Sequence, residues 1–532
     1  MQTIETHAVI IGSGVAGAII AYKLSQSGVK TIILEAGPRF TREDVFERQQ
    51  ETWKLDSSAP YPNTKLAPRT DPSDPSEDYI GNVGGTPYQA DHLRGVGGTT
   101  WHWAAACHRF LPQDMAINSN YGVGIDWPFS YSEIEPDYAT AEKELGVSCE
   151  DNADWDSPRS TPYPMSAVAA SYADLTVSKV LNGNGYNLQP KPVARNSRPY
   201  DNRPQCHGHH NCTNVCPIGA QYSGDVHINK AEEYGAQVLA DALVIRLETD
   251  RHNRIKKAIV KRPDGSLLSV KANIFVLAAN GIESPRLLLS STSETHPNGI
   301  ANSSGMVGKR LMDHYGSKIS FDMPYPVFPG RGPVTAYADI SKRDGDFRKK
   351  RSGYLISFIN QDTVNNLTLE ALQHSLDPVE IDTYLSDLAL RRLRVETSTE
   401  QLPDVSNKVN VDFNKRDSSG MPKISIHYNV DSYVTDGVEA SYNDVARMAK
   451  ILGATNIKLL GTYTHLHSSG TLMMGHDNKR FVADDVGRSH DHPNLFIAGS
   501  ALFPSVATTT PTLTISAMAL RTARSILTQI NK

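Results

Sequence analysis

The stretch from Thr6 to Gly37 constrains this chain more than any other. An apolar strand, Ala8 to Ile11, runs into Gly12-Ser-Gly14-Val-Ala-Gly17. An amphipathic helix to about Ser27 and a second strand, TIILEAG, follow. Each glycine has its own reason to be there. Gly12 permits the tight turn, Gly14 lets a pyrophosphate approach the backbone, and Gly17 lets the helix lie against the strand, with the helix N-terminus facing the phosphates. Glu35 ends the second strand, where a carboxylate takes ribose hydroxyls. A GxGxxG alone would specify only a turn; with strand, helix, second strand and acid in order it specifies a dinucleotide-binding βαβ unit in an open parallel sheet.

The chain has 532 residues, 39% of them hydrophobic and 21% charged, which is ordinary for a globular protein larger than one domain. A net charge of -5 and a pI near 6.4 provide no basic field for nucleic acid or anionic lipid. The N-terminus lacks a basic n-region, so no export signal is expected in this chain. Leu495 to Leu520 contains no Asp, Glu, Lys or Arg, but Pro504, Pro511 and many Thr and Ser predict strand, loop and buried helix rather than a membrane span.

Three of the five cysteines, Cys206, Cys212 and Cys216, fall in one loop, residues 205–220, with Pro217 directly after the last. Thiolates gathered this way usually hold something. The chemistry admits an iron–sulfur cluster, a zinc ion completed by His207, His209 or His210, or thiols that stay reduced. Three thiolates suit a [3Fe-4S] cluster better than a four-cysteine one.

Elsewhere, Phe40 to Asp91 is polar and proline-rich and predicts a long surface excursion. Arg94 to Cys107 combines glycines at 95, 97 and 98 with Thr99, Trp101, His102 and Trp103, which suits a backbone pressed against a ligand. Tyr131 to Leu145 predicts a helix capped by Ser132 with Glu135 at N3. ALVIRLET, carrying Val244, predicts a strand; Arg254 to Ala272 a hairpin through Pro263-Asp-Gly265; Phe275 to Gly281 a buried strand, with a helix beginning at Ser284-Pro285. Residues 319–463 alternate strand-like pieces (SGYLISFI, KVNVDF, KISIHYNV) with helical segments Glu370 to Leu393 and Tyr433 to Leu452, a second, sheet-based α+β domain. His465 and His467 then stand two residues apart, on one face if the segment is extended. Asn494 to Ser500 is a further buried strand ending in a glycine turn, and the threonine-rich run 508–514 opens a terminal helix.

GSGVAG with LEAG, GVGGTTWHW, FVLAANGIESPRLLL, VGKRLMDH, HSSGTLMMG and NLFIAGSALFP with PTLTISAMALR together resemble the glucose–methanol–choline oxidoreductase family. The cysteine triplet and ARNSRPYDNRPQC are similar to the flavin and iron–sulfur subunits of bacterial sugar and polyol dehydrogenases within it. The resemblance implies an α/β fold. A Rossmann-like FAD-binding domain would cover 1–318, interrupted by the excursion 40–91 and the cysteine loop, with a substrate domain over 319–463 and a return to the FAD domain over 464–532. It implies FAD on Gly12, Gly14, Gly17, Glu35, Gly97, Gly98, Thr99, His102, Val244, Ala279, Gly499 and Ser500; in some relatives the histidine at the position of His102 carries the flavin covalently. It implies a [3Fe-4S] cluster on Cys206, Cys212 and Cys216, a small subunit with a twin-arginine signal, a cytochrome c subunit, and a periplasmic location through those partners, with a cytoplasmic enzyme as the alternative. Oxidation of a sugar, polyol or sugar acid would remove the hydroxyl proton while hydride passes to flavin N5, with His467 as base. Relatives place Asn or His where Thr510 stands, and close sugar dehydrogenases have Asn at Leu466, so Thr510 and His465 are the candidate partners of His467. An oxygen-using oxidase of the same family, a nicotinamide-linked dehydrogenase and a non-catalytic flavoprotein partner are the competing expectations.

Overall fold

The computed structural model describes residues 1–531 apart from 52–59, 70–78, 154, 156, 362 and 363. Its first sheet has seven strands. Gln237–Leu239, Thr31–Leu34, Gln2–Ile11 and Leu267–Leu277 run parallel in that order. The long strand Leu267–Leu277 has two different neighbours on its other edge: the antiparallel strand Ile255–Lys261 beside its first half and the parallel Leu495–Ile497 beside its second. Leu243–Thr249 closes the sheet antiparallel to Ile255–Lys261. Pairing of Ile11 with both Leu34 and Leu277, and of Leu277 with Ile497, brings the C-terminal ends of four parallel strands to one edge. That edge is where an open α/β sheet binds its ligand.

The helix Val15–Gln26 is buried on most of its surface, more than an amphipathic surface helix would be. Ala16, Ala18, Ile19, Ile20 and Leu24 all enter the core, because the helix is packed between the sheet and the terminal helix Thr512–Ile530.

A second, six-stranded sheet has the order Thr455–Thr464, Tyr315–Asp322, Arg392–Thr399, Tyr354–Ile359, Thr335–Asp339, Leu188–Pro190. Its last strand comes from far upstream of the segment that supplies the others. One face carries Ile319, Phe321, Ile356, Phe358, Leu393 and Val395, packed under the helix Ser432–Ile451 through Val445, Met448 and Ala449. By strand alternation the opposite face belongs to Lys318, Ser357, Arg394 and Glu396. A three-stranded sheet joins Lys408–Arg416 and Pro422–His427 to Ile80–Asn82, part of the excursion 40–91.

Three local expectations shift. The helix Tyr131–Leu145 is capped one frame earlier than Ser132/Glu135, by Ser130 and Glu133. Glu135 is drawn instead to Arg109 at 2.7 Å and to Ser160. The segment 370–393 is not one helix. Asp377 caps a new helix, Pro378–Arg391, with Pro378 at its first position, where the missing N–H costs nothing. The helix expected from Ser284 begins at Asn280, whose side chain accepts from the amides of Ile282 and Glu283, leaving Pro285 inside. Among the described residues no helix is long and apolar enough to cross a membrane.

Candidate active site

At the strand-end edge of the first sheet lies a cavity lined by Gly12, Gly14, Glu35, Thr99, Val244 and Ala279, together with Arg94 and Gly98. The three glycines of the turn divide their work sterically. Gly12 has φ +98°, and a Cβ there would meet the Ala278 carbonyl at 2.6 Å. A Cβ on Gly17 would lie 2.1 Å from the Gly12 oxygen, whereas one on Gly14 would meet nothing within 4 Å. The open space at Gly14, at the N-terminus of a helix with no acidic residue in its first turn, is what an incoming phosphate needs. Arg94, 8% exposed, lines the same cavity with Nε and Nη1 free of hydrogen bonds. Glu35 is buried and accepts from Ser13 N at 3.0 Å, Ser13 Oγ at 2.6 Å and Gly37 N at 3.1 Å. Burial raises its pKa, and those hydrogen bonds oppose the rise. The donor set and the cradle fit FAD.

These distances separate folding from binding. Gly17→Ala is expected to force the helix off the strand, destabilising the protein by about 1–3 kcal/mol and losing FAD with the fold. Gly14→Ala is expected to keep the wild-type melting temperature of FAD-free protein while binding FAD more weakly. Thermal melts and flavin absorbance after gel filtration check the pair.

Gly97 and Gly98 both have positive φ, +101° and +63°. Gly98 presses on the phosphate turn, where a Cβ would meet Gly14 Cα at 2.8 Å. Ser13 Oγ links the two loops by accepting from Gly97 N. Thr99 Oγ1 accepts from Leu93 N. His102 follows, buried, its ring 5.3 Å from that of Tyr61. Gly499 and Ser500 lie at the end of Leu495–Ile497; Ser500 Oγ donates to Ser468 O at 2.7 Å and ties that turn to the histidine segment. Gly97, His102, Gly499 and Ser500 stand outside the lining of the Gly14 cavity.

The histidine segment and the strand start at Tyr315 bring His314, His465 and His467 together. His314 Nε2 lies 3.1 Å from the Val506 carbonyl and His314 Nδ1 lies 2.9 Å from His467 Nδ1. A carbonyl only accepts, so His314 carries its proton on Nε2 and offers a lone pair at Nδ1. His467 must then donate from Nδ1, which leaves its Nε2 as the basic atom. Among the described residues Nε2 makes no hydrogen bond within the chain. Burial, followed by His314 and His465, holds the His467 pKa well below 6.5, so the ring is neutral at pH 7. Burial also pushes His314 down to about 3. Asp313 organises the backbone beneath: its Oδ1 accepts from His467 N at 2.9 Å and His314 N at 2.7 Å, its Oδ2 from Tyr88 OH at 2.7 Å. Asp313, His314 and His467 offer ligand atoms within 4.8 Å of one another, but hydrogen bonds already occupy them in a way that defines a proton acceptor.

His465 stacks on His467, ring centroids 5.9 Å apart, while its Nε2–H is spent on the Thr397 carbonyl at 2.9 Å. The segment is not extended between the two rings, because Leu466 has φ +65° and is 37% exposed. A leucine there carries about 1–2 kcal/mol of left-handed strain that asparagine largely escapes. Leu466→Asn is therefore expected to stabilise the fold by about 1 kcal/mol, read as a higher denaturant midpoint with unchanged slope. Thr510 donates to the Ala106 carbonyl at 2.9 Å and lies 3.4 Å from His108 Nδ1. Its one hydroxyl proton is thus committed to backbone.

The cysteine loop sits beside the His102 segment. Gln221 Nε2 donates to both the Trp103 and Cys212 carbonyls, at 2.8 and 3.0 Å, and Tyr61 OH donates to Asn214 O. Gly208 N donates to Cys206 Sγ at 3.4 Å. Burial raises the Cys206 pKa, Arg195 opposes the rise, and the neighbouring Cys212 and Cys216 add to it. Arg195 is 1% exposed with Nη1 unpaired. The three thiols sense one another but do not converge within 4.8 Å, whereas thiolates on one tetrahedral zinc lie about 3.8 Å apart. The Gly208 N–H on Cys206 Sγ and the buried Arg195, which hydrogen-bonds Gln221 and the Ala104 carbonyl, are groups that stabilise thiolate charge in this loop.

Sequence reasoning passed over Asp313 and His314, although both stand in VGKRLMDH, along with Arg94, His108 and Arg195. A polar pair ending an otherwise loop-like motif just before a strand was the available signal.

The chain matches the models of the GMC oxidoreductase family over residues 9–316 and 405–519. It is 37% identical to the fructose dehydrogenase large subunit of Gluconobacter japonicus, covering 100% of this chain and 99% of that one. It is 24% identical to the gluconate 2-dehydrogenase flavoprotein of Pantoea cypripedii, covering 99% and 94%. Among solved structures, the fold is shared with a formate oxidase from Aspergillus oryzae studied for modification of its FAD (TM-score 0.69, 13% identity, 99% of each chain). It is shared also with pyridoxine 4-oxidase from Mesorbium loti (TM-score 0.66, 16% identity, 98% and 99%). With a glycine cradle at the strand ends and a hydrogen-bonded pair of neutral imidazoles, this chain belongs to the GMC oxidoreductase family, as an FAD-dependent oxidoreductase acting on CH–OH donors.

Proposed function

We propose that the protein is a dehydrogenase that oxidises a hydroxyl of a sugar, polyol or sugar acid and delivers the electrons through a [3Fe-4S] cluster on Cys206, Cys212 and Cys216 to a cytochrome or quinone. The observation that carries the reading is the fixed tautomer of His467, whose free Nε2 is a base for a hydroxyl proton. Bound FAD supplies the hydride acceptor. His467 takes the proton at Nε2 while Nδ1–H stays donated to His314. Asp313, its own carboxyl raised to about 7 by burial, accepts from the His467 amide and fixes the position of the ring through the backbone.

The contacts of Gln221 and Tyr61 between the cysteine loop and the His102 segment support a relay of single electrons away from a two-electron donor. The likeness to a large subunit supports an assembly. In our reading it includes a small subunit bearing the export signal and a cytochrome c, and works in the periplasm. The test is the visible spectrum and iron content of purified protein, with and without a panel of sugars, polyols and sugar acids. Flavin bleaching by one of them in protein containing about three irons is the expected result. Zinc in place of iron would remove the relay, and flavin that no member of the panel reduces would remove the dehydrogenase.

A further inference from the structure

The polar face of the six-stranded sheet leads to the catalytic histidine. Ser357 pairs with Glu396, and Glu396 with Lys318, across neighbouring strands, so the three side chains form a row facing away from the helix Ser432–Ile451. Lys191, directly after the edge strand, extends the row by donating from Nζ to Ser357 Oγ at 2.7 Å. At the other end the Lys318 ammonium lies 4.2 Å over the Tyr463 ring, Tyr463 lies 4.4 Å from His465, and His465 stacks on His467.

The charges in this row do not balance. Arg394 and Glu396 pair at 2.5 Å. Among the described residues neither Lys191 nor Lys318 has a carboxylate oxygen within 4.0 Å, and Arg394 Nε is buried without a hydrogen bond. Lys191 is only 6% exposed. A buried ammonium with one hydroxyl partner, and with Glu396 and Asp174 acting only from beyond ion-pair distance, has given up hydration without a contact anion, a place that a ligand carboxylate would complete. His465 rests on the Thr397 carbonyl, one strand from Ser357. Lys191, on Ser357, and His465, on the Thr397 carbonyl, are thus anchored on neighbouring strands, and His465 stacks on His467.

We propose that Lys191 binds a carboxylate of the substrate, so that the preferred donors are sugar acids, their carboxylate on Lys191 and the hydroxyl to be oxidised at His467. The inference rests on the dehydrogenase reading above and narrows it. The carboxylate is unchanged by the reaction. The hydroxyl proton goes to His467 Nε2, the C–H hydride with its two electrons goes to FAD, and a keto acid leaves. Burial lowers the Lys191 pKa to about 8, against Glu396 and Asp174, which raise it, and with Arg195, which lowers it further; the neutral His108 also faces it. The ammonium that binds the acid is thus present below about pH 8 and lost above it.

The test uses FAD-loaded full-length protein with an artificial dye as acceptor, which makes it independent of the cysteine loop, and compares D-gluconate with glucose, sorbitol and fructose. At pH 7 the kcat/KM for gluconate is expected to exceed that for every neutral donor, and to fall as pH passes 8 while the neutral-donor profile does not. Lys191→Met should raise KM for gluconate roughly 30-fold or more, with less change in kcat, erasing the preference; Lys191→Arg should restore part of it. Neutral donors oxidised as well as gluconate by the wild type, or equal losses for both classes in Lys191→Met, would overturn the proposal. The wild-type comparison and pH profile decide it even where a variant loses FAD. If the wild type oxidises neither class, the dehydrogenase reading fails instead.

Discussion

His467→Ala lowers turnover by roughly two to four orders of magnitude, the range for removal of a positioned base, while FAD stays bound and the melting temperature changes little. The expectation follows from the hydrogen-bond chain. Val506 fixes the proton of His314, His314 fixes that of His467, and only Nε2 of His467 is left as a base. Because burial holds the His467 pKa well below 6.5, its basic form persists as the pH falls through 6.5. The acid limb of kcat/KM is therefore expected below that value. A stopped-flow measurement of flavin bleaching reports the loss directly. Near-normal bleaching in His467→Ala, or an acid limb above pH 6.5, would remove His467 from this role.

Cys212→Ser separates chemistry from electron exit. It is expected to abolish the broad visible absorption of a cluster and to release iron. Substrate should still bleach the flavin in a single turnover at close to the wild-type rate, whereas steady-state transfer to a cytochrome or quinone falls by two orders of magnitude or more. The reasoning is one of electron number: a hydride brings two electrons to the flavin together, the flavin can release them singly, and a one-electron cluster beside it would carry each one outward. The loop's contacts with Trp103 and, through Tyr61, with His102 are the reason to test it as that carrier. A variant that loses its iron and keeps full transfer would make the cluster structural.

The sequence was most informative where chemistry is local. Gly12, Gly14 and Gly17 were readable because each answers a backbone demand met within a few residues, and each behaves differently when a Cβ is placed on it. The capping frames were readable in kind but not in register. Ser130 and Ser132 both begin an S-x-x-E pattern, and the choice went to Ser130 because Arg109, twenty-six residues before Glu135, claimed that carboxylate. The break at Asp377-Pro378 was written in the chain and outweighed by apolar periodicity on either side.

The sequence by itself determined the nucleotide-binding unit, the family and the candidacy of His467, since glycine turns, strand ends and contiguous motifs are short-range features. Tertiary structure decided which nitrogen of His467 is left unprotonated. Val506, His314 and Asp313 are up to 193 residues apart in the chain, and a tautomer is set by hydrogen bonds across space rather than by neighbours in sequence. It likewise decided that Lys191, from an upstream edge strand, joins Ser357, Glu396 and Lys318 in one row, because strand pairing joins side chains that no sequence period connects.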